Sequence, residues 1–213
     1  MFDASEFAGL AARWHAPTLA ELAEARRVWQ ATGAARLDDV LAPGLAAELV
    51  MGLRRLPLVA IERPGEVVWC YDVAVPPVRD PQLFEPLFRL VPVLDQVIPR
   101  LATEVCGRPL VALAPTTFRV IAYRKGSWTD AALDAAPGTV VCTLSLGLAD
   151  WPAAWGGHGA YRDRAGAATA PASTPAGTVE LADGALVREV AVVTRHVERL
   201  ELRTLLGPAP EAP

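Results

Sequence analysis

Several features that would place a chain in a functional class are scarce in these 213 residues. Positive charge is not in excess: 20 Lys and Arg stand against 24 Asp and Glu, for a formal net charge of −4. Phosphate binding needs a basic footprint, and none is concentrated here, so a nucleic-acid partner is excluded. Long hydrophobic runs are missing too. No apolar stretch approaches the roughly 20 residues that span a bilayer, so no membrane partner is expected. The opening MFDASEF has an acid where a signal peptide would have lysine or arginine, which points to a cytoplasmic location. Cysteine is limited to Cys70, Cys106 and Cys142, an odd number at wide spacings that match no metal or redox motif. These read as buried thiols.

What is present is apolar material: 52% of residues are hydrophobic and 21% charged, the profile of a globular protein. The length suits one well-filled core. We expect a single domain over residues 1–207, with 1–57 mainly helical, and a disordered tail at 208–213. Residues 1–33 read as helical, and Thr18-Leu-Ala-Glu21 has the pattern of a capping box. A short lead-in strand, ARLDDVL, precedes a second helix near Pro43 that carries Leu45, Leu49 and Leu53 on one stripe. Residues 58–61 and 67–75 are strand-like around a Pro64-Gly65 turn. Residues 81–106 have helical spacing broken by Pro86, Pro92 and Pro99 into short pieces.

From Leu110 onward the pattern is of strands, at 110–113, 117–123, 139–146, 159–161, 178–181, 186–193 and 197–205, with a mobile loop at 163–176. Many short strands with Gly and Pro turns, after a run of helices, indicate an α+β, mainly β protein. The architecture expected is a double-stranded β-helix, or jelly roll, over residues 110–206, buttressed by helices.

Within 118–161 lie Tyr123, Gly126, Leu144, Leu146, Trp151, Pro152, Gly156 and Gly157. Their order resembles the centre of the prolyl-hydroxylase-like branch of the 2-oxoglutarate and iron(II) dioxygenases. The resemblance implies a site in which two imidazoles and one carboxylate hold iron and leave positions open for 2-oxoglutarate and oxygen. It places the first histidine nine residues after Tyr123, where this chain has Ala132, and the carboxylate at Asp134. The second histidine falls on Arg188, in Arg188-Glu189-Val190. Two of the three ligands are thus replaced, one by a methyl group and one by a cation.

The resemblance also implies a 2-oxoglutarate pocket from Tyr123 and an arginine on the last strand, which Arg199 fits. A serine or threonine is expected two residues later, on the same strand face, and here that position is Glu201. Arg199 lies eleven residues beyond Arg188, slightly more than the family spacing. His15, His158 and His196 are the remaining histidines and read as turn or surface residues. Trp151 and Trp155 read as packing anchors, Gly156-Gly157 as a sharp bend, and Trp128 and Asp130 as exposed loop residues. A carboxylate left inside the barrel needs a counter-charge, so Arg188 is expected to pair with Asp134 and Arg199 with Glu201.

The function implied is a dioxygenase-fold protein without iron-dependent catalysis, acting as a binding or scaffold module for a small carboxylate, a peptide or a protein partner, with no cofactor. The alternatives are an active 2-oxoglutarate-dependent hydroxylase that holds Fe(II) and 2-oxoglutarate in a non-standard site, and a non-catalytic subunit of a catalytic relative.

Overall fold

Thr18 starts the first helix of the structure, a computed structural model that describes residues 14–72, 93–113, 119–132, 135–136, 138–147, 151–163, 168–170 and 176–210. Its hydroxyl accepts from the Glu21 amide at 3.2 Å, and the Glu21 carboxylate accepts from the Thr18 amide at 2.7 Å, a closed capping box. Helix α1 spans Leu19–Thr32, α2 spans Pro43–Leu53 and α3 spans Ile98–Cys106, the last entered through a π-helical turn at Val93–Val97. Residues 1–13 and 73–92 lie outside the described residues, and Trp14 bridges to Leu41 instead of extending α1. No helix among the described residues is long and apolar enough to cross a membrane.

The described residues form twelve strands: β1 Ala34–Leu37, β2 Val59–Arg63, β3 Glu66–Asp72, β4 Leu110–Ala112, β5 Arg119–Tyr123, β6 Trp128–Ala132, β7 Val140–Leu146, β8 Gly159–Arg162, β9 Ala168–Ala170, β10 Val179–Asp183, β11 Val187–Val190 and β12 Arg199–Pro208. All pairings are antiparallel. One wall runs β1-β10-β7-β12-β5 and the facing wall β6-β11-β8-β9. Strand β3 joins them, pairing β5 through 69–72 and β6 through 66–67. The result is a nearly closed barrel of jelly-roll type whose free edges, β1 and β9, lie against each other.

Alternation along the first wall decides what packs where. Leu144, Leu146, Leu181, Leu200 and Leu202 turn outward into one apolar cluster with Leu45, Leu49 and Leu53 of α2 and Ile98 and Val105 of α3. Each such side chain contributes roughly 1.5–3 kcal/mol on burial. The intervening residues, Tyr123, Thr143, Ser145, Glu180, Arg199 and Glu201, are also buried, and they turn into the barrel. The helices therefore stabilise the outside of the wall and leave its inner face free to be polar.

Three expectations are corrected. Residues 128–132 are a strand, because Ser127 and Thr129 point in while Trp128 and Asp130 point out, an alternation hidden by the polar character of the inner residues. Within the expected loop at 163–176, residues 168–170 pair with β8. The last strand extends through Pro208, and the Ala209 amide donates to Pro109 at 3.1 Å, so the chain remains anchored past the expected start of the tail. Cys70 and Cys142 are buried and Cys106 is half-buried; burial raises all three thiols, Cys106 to about 12.

Candidate functional site

Strands β11 and β12 bring the site together from opposite walls. Antiparallel pairing puts Arg188 beside Ala131 on β6 and Tyr161 on β8, while Arg199 sits beside Tyr123 on β5 and Glu201 beside Ser145 on β7. Arg188 and Glu201 meet across the interior. Nη1 donates to Oε2 at 2.6 Å and Nη2 to Oε1 at 2.8 Å, a bidentate fork. Arg188 is 1% exposed and Glu201 is fully buried.

Further contacts extend the centre. Arg199 Nη2 donates to Glu201 Oε1 at 2.5 Å, and its Nη1 donates to the Gly157 carbonyl. The two guanidinium groups lie over aromatic rings, Arg188 5.8 Å from the centre of Tyr161 and Arg199 5.1 Å from that of Tyr123. The Tyr123 hydroxyl lies 3.1 Å from the Thr129 hydroxyl and accepts from Arg188 Nη1 at 3.3 Å. Glu180 on β10 accepts from the Tyr161 hydroxyl at 3.0 Å and from Arg188 Nη2 at 3.4 Å. Arg203 stands 3.8 Å from Glu201, an ion pair too long for a hydrogen bond, and its buried Nε and Nη2 have no acceptor among the described residues.

Electrostatics follow from this packing. Burial alone would push Glu201 up, but Arg188 and Arg199 outweigh it and hold the carboxyl down at about 2. Arg188 loses hydration on burial and recovers more from Glu201, so its cation is held well above the usual range. Burial, and then the Glu180 carboxylate, raises the Tyr161 phenol, which serves here as a neutral donor. Arg188, Arg199 and, at longer range, Arg203 surround Glu201, with Glu180 as the second buried carboxylate.

The residues implied by the resemblance can now be placed. Ala132 ends β6 opposite Val187, and it is Ala131 that stands opposite Arg188; neither methyl can coordinate a metal. Asp134, the expected partner of Arg188, lies outside the described residues; among those described, Arg188 pairs with Glu201. Arg199 and Tyr123 are both inside the barrel, engaged by Glu201 and by Thr129 and Arg188 respectively. The expected Arg199–Glu201 pair is present. His158 contacts the Ala153 carbonyl at 2.8 Å, His196 lies 3.2 Å from Lys125, and His15 is exposed. Trp151 donates to Gly156 at 2.7 Å and packs edge-on against Trp155, while Gly156 and Gly157 turn the chain with φ of 72° and 71°.

Iron and 2-oxoglutarate do not fit the described donor set. The buried carboxylate of Glu201 is committed to Arg188 and Arg199, Glu180 meets Arg188 and Tyr161 through Oε2, and Arg188 stands at the position that the resemblance gives to the second histidine. Among the described residues no group of three or more His, Cys, Asp or Glu side chains could hold a metal ion. Sequence reasoning missed Glu180 and Tyr161. The signal for Glu180 was there: a lone acid between Val179 and Leu181 in a strand occupies the opposite face from its apolar neighbours.

Two walls joined by β3, helices packed on one wall and a polar interior define a double-stranded β-helix, or jelly roll. No protein-family model matches the sequence, and no curated protein does. Solved structures do match. They include the non-heme alpha-ketoglutarate-dependent epimerase SnoN from nogalamycin biosynthesis, at 16% identity and a TM-score of 0.68 over 90% of this chain and 84% of that one. A Pseudomonas putida prolyl-4-hydroxylase matches at 16% identity and a TM-score of 0.65, over 89% and 100% of the two chains. HygX from Streptomyces hygroscopicus, solved with nickel and 2-oxoglutarate bound, matches at 18% identity and a TM-score of 0.62 over 91% and 88%. At these identities the likeness establishes the fold.

Proposed function

We propose that this protein keeps the oxygenase fold without iron-dependent catalysis and serves as a binding or scaffold module. The observation that carries the reading is the bidentate Arg188–Glu201 contact, buried where the resemblance puts the distal ligand and the cosubstrate pocket. A guanidinium repels a divalent cation, and Glu201 both blocks Arg199 and repels the carboxylate of 2-oxoglutarate. The centre is costly to assemble, since two desolvated ion pairs roughly break even against an apolar core. It is better read as a substitute for the charge of the lost metal than as a source of stability.

Anaerobic equilibrium dialysis against Fe(II), with and without 2-oxoglutarate, tests this. Metal retained at the level of a protein lacking a site is the expected result. One iron per chain, enhanced by 2-oxoglutarate, would favour the active hydroxylase instead.

A further inference from the structure

We infer that the cavity between α1 and the free edge of the barrel binds a small organic cation, a primary amine on a short apolar body, with Glu180 as the anchoring carboxylate. The cavity has a volume of about 570 Å³, within the range of small-molecule sites. Its walls are apolar: Ala20, Ala25 and Val28 from α1, Ala34 and Leu37 from β1, and Tyr161 from β8. Its charge is one-sided, with the carboxylates of Glu21, Glu24, Asp38 and Glu180 against the single guanidinium of Arg36.

Three of those acids are already engaged: Glu21 in the α1 cap, Glu24 with Arg27 at 2.6 Å and Asp38 with Arg36 at 2.9 Å. Glu180 differs. It is 3% exposed, and both Tyr161 and Arg188 contact the same oxygen, Oε2. Both of those contacts fall on Oε2, none of the hydrogen bonds among the described residues involves Oε1, and Glu180 lines the cavity. A carboxylate oxygen in an apolar recess gains most from a charged donor, because a charge-assisted hydrogen bond is roughly twice as strong as a neutral one. Arg188 keeps its two short contacts for Glu201 and meets Glu180 only at Oε2, at 3.4 Å. The inference goes beyond the loss of iron and does not depend on it.

Calorimetric titration of the full chain at neutral pH with hexylamine, which is then cationic, tests the site, with hexanol and hexanoate as controls. Saturable one-to-one binding of hexylamine, much weaker binding of hexanol and none of hexanoate is expected. Glu180→Gln should weaken hexylamine about tenfold or more, as loss of a charged hydrogen-bond acceptor does. Ala20→Trp fills the cavity from an exposed helix position and should abolish binding while the fold is retained. No hexylamine binding, equal binding of hexanol, or undiminished binding by either variant would overturn the inference. Should Glu180→Gln fail to fold, Ala20→Trp and the two controls decide.

Discussion

Glu201 is a buried acid that is easier to ionise than an exposed one, because Arg188 and Arg199 outweigh the cost of its burial. Its folded-state pKa of about 2 lies below the unfolded value, so its contribution to stability is complete above pH 4.5 and is lost as pH falls from there toward 2. Ionisation within the pair thus favours the folded state, while the pair as a whole roughly breaks even against apolar packing. Glu201→Gln leaves two buried guanidinium groups without their shared counter-ion. We expect a loss of about 3–5 kcal/mol at neutral pH, measured by denaturant unfolding, with the gap to wild type narrowing below pH 4. A gap independent of pH would mean that the carboxylate is not ionised in the pair. Part of this centre was legible from residues alone, since Arg199 and Glu201 are two apart on a strand and must share a face. The partner of Arg188 was not, because that choice depends on which walls face each other across the barrel.

At the level of elements, the bend between the 3-10 turn at Ala153–Trp155 and β8 holds the centre from one side. Gly156 has φ of 72°, and a Cβ there would lie 1.8 Å from the Val192 carbonyl oxygen; Gly126 has φ of 87° with nothing within 4 Å. Gly126→Ala should therefore cost only left-handed strain, about 1–2 kcal/mol. Gly156→Ala adds a backbone clash and should exceed about 4 kcal/mol, in the range reserved for a displaced core contact. Thermal unfolding of the two variants separates the effects, and equal losses would show that the close approach to Val192 is not maintained. The Gly-Gly pair was readable as a bend. Its second role was not, because the Gly157 carbonyl accepts from Arg199 across 42 residues of sequence. Strand β6 was hidden for a similar reason: Thr129 is a polar residue on an inward face, and its acceptance there depends on Tyr123.

For the molecule as a whole, helices on one wall and strand alternation throughout were legible because they rest on local periodicity. The near-closure through β3, which pairs with both walls, was not, since it depends on pairings remote in sequence. The same closure brings Arg188 from one wall onto Glu201 of the other and so places a buried ion pair at the centre of the barrel, which under the proposed function stands in for a metal. Anaerobic titration with Fe(II) and 2-oxoglutarate, followed by visible absorption, tests that claim most directly. The account predicts no metal-to-ligand charge-transfer band at any ratio of the two. A band that saturates at one iron per chain would contradict it.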